Sequence, residues 1–197
     1  MKTNIRMIQG PWNLGFVLDK HTLGSVHIGE WPNGKPKFDT TYTEVGKAVF
    51  LLKYRSDYGQ VKPLVDTLDK VIKDEIENKI DFIFPMPPSD LTRSRQPVFA
   101  LAKKLAEKMN VGYATNGLIK GKLEKSLKNA ASKEEKLALL KDKFSTHPSL
   151  SNEKNGPLNI LLLDDLFDSG ASMEEACKAL QGCSSIQKVY VVALTWK

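Results

Sequence analysis

Cysteine is almost missing from this chain: Cys177 and Cys183 are the two present among 197 residues, and they form no C-x-x-C pair. A disulfide framework or a zinc module needs more thiols at ligand spacing, so both are set aside and the two cysteines read as small core residues. Histidine is scarce as well, and His21 and His27 have no second ligand at useful spacing, which makes them strand or surface residues. No apolar run approaches the roughly 18 residues of a membrane span, and the opening MKTNIRMIQGPW lacks a signal-peptide core. The expectation is a cytoplasmic protein without a membrane partner. There is no internal repeat, and no G-x-x-x-x-G-K-[ST] string, which removes the common nucleoside triphosphatases.

What is present is ordinary in bulk and informative in detail. A hydrophobic content of 41% over 197 residues suits one α/β domain with an appendage. Lysine and arginine total 29 against 23 acids, a formal charge of +6, which suits an anionic ligand or a nucleic acid without separating the two. The sharpest signal is Ile160 to Ser172, ILLLDDLFDSGAS. Four apolar residues after Gly156-Pro157 read as a strand buried on both faces, and they deliver Asp164 and Asp165 to its carboxyl end. In open parallel sheets that end is where ligands bind. Asp168-Ser169-Gly170-Ala171-Ser172 then forms a loop of small residues whose N–H groups can converge on an anion, at the start of a helix marked by Met173, Ala176, Cys177 and Leu180. Ser172 and Glu175 have capping-box spacing. A receiver domain also pairs acids after a strand, but near the start of its domain, whereas these lie late in the chain. A buried strand with two solvated acids and an ordinary capped helix would use the same residue types, yet not in this order.

Earlier segments supply a scaffold. The first forty residues, with Phe16-Val17-Leu18, Val26 to Ile28 and turn residues between, read as a small antiparallel meander. Thr41 with Glu44 suggests a cap for a helix carrying Val45, Ala48, Val49 and Leu52, which ends in Lys53-Tyr54-Arg55. Those cations either complement the helix dipole or reach an anionic site, and composition favours the first. A second helix follows Pro63. The strand Phe82 to Met86 stops in Pro87-Pro88-Ser89-Asp90, and Arg93 and Arg95 follow before a helix opened by Pro97. Guanidinium forks among small residues suit a diphosphate, though two surface cations would look the same. Tyr113 to Ile119 reads as another parallel strand, and Glu134 to Phe144 as a helix. From Lys120 to Lys143 there are eight lysines and four acids. The weakly apolar part between Gly121 and Ser132 is an expected mobile loop, either a lid, a solvated face or a nucleic-acid contact.

Taken together these segments resemble the ComF-like branch of the type I phosphoribosyltransferases, from about Thr43 to the C-terminus. Ile160 to Ser172 matches the family's phosphoribosyl-diphosphate (PRPP) motif. Leu52-Lys53-Tyr54-Arg55, Pro85-Met86-Pro87, and Arg93 to Pro97 before Leu101-Ala102 are similar to further family segments, although of the R-G-F-N-Q pentad only the leading arginine is kept. The four-cysteine finger of many relatives is missing, so no metal is carried over from it. The resemblance implies an α/β fold with a central, mainly parallel five-stranded sheet, residues 43–197, and a β-rich hood, residues 1–42. It implies that Asp164 and Asp165 accept hydrogen bonds from the ribose hydroxyls and that Asp168, Ser169, Gly170, Ala171 and Ser172 hold the 5-phosphate. Pro87, Pro88, Ser89, Asp90, Arg93 and Arg95 would lie by the diphosphate, with Mg²⁺ carried by PRPP rather than held by protein ligands. Lys120, Lys122, Lys125 and Lys128 would belong to a flexible closing loop.

Arg93 and Asp168 are the catalytic candidates, Asp168 as a base or as a shaper of the loop. Trp12, Phe16 or Trp31 is the expected aromatic face of the hood, unless packed in a core. The implied partners are PRPP or a nucleoside monophosphate, diphosphate, and a nitrogen nucleophile, with a homodimer as one assembly. Two other functions fit: a nucleic-acid-handling accessory protein that tracks single strands with its lysines, and a ligand sensor without turnover.

Overall fold

A computed structural model describes residues 1–88, 95–123, 127, 130–151 and 156–197. Its centre is a six-stranded sheet in the order β1-β2-β10-β9-β5-β6. The strands are β1 (Arg6–Met7), β2 (Leu14–Lys20), β5 (Phe82–Pro85), β6 (Gly112–Tyr113), β9 (Leu158–Phe167) and β10 (Ile186–Trp196). Neighbours from β2 to β6 run parallel, and β1 adds a short antiparallel edge. Helices cover both faces, so the central strands are apolar without alternation, as Ile160 to Leu163 required. Leu161 and Leu163 pack with α1 (Glu44–Arg55), α2 (Val61–Glu75) and α3 (Pro97–Met109); Ile160 and Leu162 pack on the other face with α4 (Lys133–Leu140) and α5 (Ala171–Gln181).

The expected N-terminal meander divides in two. β2, with Phe16, Val17 and Leu18 fully buried, pairs with β10 inside the central sheet, because a run of three large apolar residues is stable only with both faces covered. Only β3 (Thr22–Glu30) and β4 (Pro36–Tyr42) stand apart, as an antiparallel hairpin. The strand read at Tyr113 to Ile119 likewise splits. Gly112 and Tyr113 join β5, and Leu118 to Lys120 form β7, which pairs with β8 (Phe144–Thr146) in a separate small sheet. The helix expected over Glu134 to Phe144 stops at Leu140, and Phe144 is the first residue of that strand. Among the described residues no helix is long and apolar enough to cross a membrane.

The cap of α1 is Thr43 rather than Thr41. Its hydroxyl donates to the Lys20 carbonyl at 2.6 Å and accepts from the Gly46 N–H at 2.9 Å, which fastens the end of β2 to the helix. Gly46 must be glycine for a different reason: a Cβ there would lie 1.9 Å from the His21 carbonyl oxygen. Gly46→Ala therefore forces helix and turn apart, and is expected to cost about 1–3 kcal/mol, the range for overpacking a filled core. Urea unfolding checks it, and a midpoint equal to the parent's would refute the close approach.

Candidate functional site

β9 is ten residues long and does not end where its apolar run ends. On one side, pairing with β5 stops at Pro85 opposite Leu163, closed by the Met86 N–H on the Leu163 carbonyl at 2.8 Å. On the other side β10 continues to Trp196 opposite Phe167. Asp164 and Asp165 therefore sit where one neighbour has left the sheet and the other remains, a crevice at the carboxyl edge. Successive strand residues face opposite ways, so the two acids part company. Asp164 turns to the face of Ile160 and Leu162, and Asp165 to the face of Leu161 and Leu163.

Asp164 lines a cavity of about 430 Å³ together with Leu166 to Met173, Leu127, Lys136 and Lys197. Every member of the Asp168-Ser169-Gly170-Ala171-Ser172 loop is on this wall. Gly170 is the N-cap of α5, at φ +82°, and a Cβ there would come 2.8 Å from the Phe167 ring; both the backbone and the space call for glycine. No side chain caps the helix, so the capping-box spacing of Ser172 and Glu175 is unused, the helix having begun one residue before Ser172. Its first residues, Ala171, Ser172 and Met173, line the cavity, and a helix N-terminus suits an anion. Two cations stand there too. Lys136, from α4, donates to Asp168 Oδ2 at 2.7 Å, and Lys197 lies 3.9 Å from Oδ1. The Lys136 hydrogen bond holds the Asp168 carboxyl below its usual range. A second pair, Lys133 with Glu174, ties α4 to α5 beside the loop.

Asp165 faces α1. The Lys53 ammonium donates to its Oδ2 at 2.6 Å, with side-chain exposures of 26% and 11%. Burial works against the Lys53 charge, but the charge and hydrogen bond of Asp165 outweigh it and raise the lysine above its usual value. Thr195 of β10 donates its hydroxyl to the Asp165 carbonyl at 2.9 Å. With that proton committed, Thr195 Oγ1 must accept from His21 Nδ1 at 3.1 Å, which sets the imidazole tautomer. Burial lowers the His21 value. The Asp165 N–H donates to Asp164 Oδ1 at 2.8 Å, so the two acids are linked through the backbone as well as by repulsion. Asp164 is pushed up to about 7, by burial first and by the Asp165 carboxylate second.

The structure gathers the five loop residues and Asp164 at one cavity. Pro87 and Pro88 follow β5 after Met86, next to the crevice. Arg95 is exposed with its guanidinium 5.4 Å from the Tyr58 ring. Ser89, Asp90 and Arg93 lie outside the described residues, as do Lys125 and Lys128. Of the remaining loop lysines, Lys122 is exposed, and Lys120 sits over the Phe144 ring, its value lowered by burial and partly restored by Asp164. Trp12 and Phe16 are core residues, and Trp31 is exposed on the hairpin.

Sequence reasoning left Lys53 as a helix-end charge, read His21 as a strand or surface residue, and did not single out Lys136, Lys197 or Thr195. A signal existed for Lys53 alone, in its place in a Leu-Lys-Tyr-Arg helix end.

No protein-family model matches this chain, and no curated protein matches it. Solved structures do. The adenine phosphoribosyl transferase of Trypanosoma brucei, in complex with AMP, pyrophosphate and ribose-5-phosphate, is 12% identical over 100% of this chain and 76% of its own, with a TM-score of 0.52. The adenine phosphoribosyltransferase of Leishmania tarentolae is 10% identical over 98% of this chain and 95% of its own, at 0.50, and that of Leishmania donovani matches at the same identity and score over 98% and 86%. The chain thus has the type I phosphoribosyltransferase fold, an α/β sandwich around a mainly parallel sheet.

Proposed function

We propose that this protein is a phosphoribosyltransferase, which binds PRPP or a nucleoside monophosphate and moves the phosphoribosyl group between diphosphate and a nitrogen nucleophile. One observation carries the reading: a half-buried carboxylate, Asp164, shares a cavity with the small-residue loop Asp168 to Ser172 at the carboxyl end of a central parallel strand. Asp164 accepts from the ribose hydroxyls, with Asp165 as its neighbour in the pair. The N–H groups of Ser169 to Ser172 take the 5-phosphate, and Lys136 and Lys197 add positive charge at its entrance. Pro87 to Asp90, Arg93 and Arg95 serve the diphosphate side, and Lys120 to Lys128 the closing loop. Of residues 1–42, the expected hood, the β3–β4 hairpin is the part that stands apart from the central sheet and would cover the site. The Trypanosoma brucei structure contains AMP, pyrophosphate and ribose-5-phosphate, ligand classes that this cavity suits.

Among the described residues no group of three or more His, Cys, Asp and Glu side chains is placed to hold a metal. Mg²⁺ would arrive on PRPP, because the ion keeps water and phosphate oxygens as ligands and needs few from protein. When bound it neutralises the charge of the leaving diphosphate. Asp168 is a weak base while Lys136 holds it, so a catalytic role for Asp168 requires that ion pair to open. The reading extends to the ComF-like branch, a cytoplasmic location and a homodimer.

Release of diphosphate from PRPP and Mg²⁺, followed across purines, pyrimidines and ammonia, tests the reaction. Turnover with one of them is expected. PRPP binding with silence throughout the panel would leave a sensor instead. Single-stranded DNA binding that weakens steeply with salt and ignores PRPP would leave the nucleic-acid reading.

A further inference from the structure

In the free protein the Asp168 carboxylate is occupied from both sides. Lys136 donates to Oδ2 at 2.7 Å, and Lys197 lies 3.9 Å from Oδ1. The lysine is the more enclosed partner, its side chain 21% exposed against 46% for Asp168. Lys136 and the loop from Asp168 to Ser172 line one cavity, so a phosphate seated on that loop meets an ammonium that the carboxylate already holds.

α4 delivers Lys136 and has little else to fix it. Leu140 is its one buried side chain, and its N-terminal end closes on itself: the Ser132 hydroxyl accepts from the Glu135 N–H at 3.2 Å, and the Glu135 carboxylate from the Ala131 N–H at 2.7 Å. Two ion pairs reach across to α5 and the loop before it, Lys133 with Glu174 and Lys136 with Asp168. The first can keep α4 docked while the second changes partner.

We infer that Lys136 is a specificity residue for the 5-phosphate, which rests on Asp168 in the free protein and transfers to the phosphate when the ligand arrives. This exchange rests on the phosphoribosyl site proposed above and adds regulation of that site by its own ligand. Charge sets the direction. A phosphate monoester brings close to two negative charges and three acceptor oxygens at neutral pH, against one charge and two oxygens for a carboxylate. Lys136 therefore gains by moving to the phosphate, beside a helix N-terminus that also favours the anion. The phosphate repels Asp168 at the same moment, and the half-exposed carboxylate has solvent to turn into. Freed from the hydrogen bond that holds it below the usual carboxyl range, Asp168 regains basicity with Lys197 alone beside it. A ribose without its phosphate leaves the pair closed.

Calorimetry of the full chain with ribose 5-phosphate tests the exchange in a double-mutant cycle. Asp168→Asn removes the competitor for Lys136 and is expected to tighten binding about 5-fold, a gain that a damaged fold cannot give. Lys136→Met is expected to weaken binding about 3-fold in the parent, where the ammonium must first leave Asp168, and about 10-fold in the Asp168→Asn background, where it has nothing to leave. Losses that are equal in the two backgrounds, or an Asp168→Asn protein that binds no tighter than the parent, overturn the exchange and leave the phosphoribosyl site standing. Ribose 5-phosphate bound by none of the four proteins overturns the phosphoribosyl reading and the exchange together.

Discussion

Asp164→Asn is expected to weaken the binding of PRPP with Mg²⁺ by one to two orders of magnitude, and to remove its pH dependence. The first effect follows from the loss of charge-assisted hydrogen bonds to ribose hydroxyls, each worth about 1.5–3 kcal/mol when one partner is charged. The second follows from the proton. In the free protein burial and the Asp165 carboxylate push Asp164 up to about 7. Below that pH the group holds a proton, and a ligand that needs the carboxylate must displace it.

Affinity in the parent protein therefore rises with pH and levels off above about 7. Calorimetry in two buffers of different ionisation enthalpy should show proton release below pH 7 for the parent and none for the asparagine variant. The side chains are nearly isosteric, so the fold is retained. Equal affinity in parent and variant would remove Asp164 from the site, and proton uptake in place of release would reverse the assigned role.

Lys53→Met should carry the largest stability loss, about 3–5 kcal/mol near neutral pH, the range for removing one partner of a buried pair. What remains is the Asp165 carboxylate, 11% exposed, with Asp164 beside it and no cation at 2.6 Å. For a chain of this length each kcal/mol moves the melting temperature by roughly 2–4 °C, so a drop of about 10 °C is expected.

The pH dependence separates charge from packing. The folded value of Lys53 is raised, so its contribution is full below its ordinary value and fades as pH rises through the raised one. On the acid side Asp164 behaves in the same sense, in a lower pH window. Its folded value is raised above that of an ordinary carboxyl, so the native state keeps a proton that the unfolded chain gives up, and stability falls as pH rises toward about 7. Without Lys53 that fall steepens, and the gap between variant and parent should narrow as pH drops below 7. A loss that is constant from pH 4 to 8 would mean that the lysine stem, and not its charge, is what matters.

Strong local patterns were legible in the sequence. Ile160 to Leu163 could only be a strand with both faces covered, and the small residues of Asp168 to Ser172 could only be a tight loop. Other patterns were legible but ambiguous. Thr41 and Glu44 have capping spacing, yet Thr43 caps the helix because its hydroxyl also reaches the Lys20 carbonyl of a strand far away in sequence. Ser172 and Glu175 have it too, yet the left-handed backbone of Gly170 starts the helix first. Val17 and its neighbours read as part of a meander because hydrophobic residues show that a strand is buried, not which sheet buries it.

The acid pair shows the same division at the site. Two adjacent carboxylates after four apolar residues gave the position of the candidate site, because chain order and strand pleat are local properties. That Asp164 turns to the cavity while Asp165 turns to Lys53 was decided only when β9 took its place between β10 and β5, with helices on both faces. Lys53, Lys136, Lys197 and His21 come from four separate segments. Their convergence depends on which helix covers which face of the sheet, and burial across long sequence separations, rather than any spacing along the chain, sets that choice.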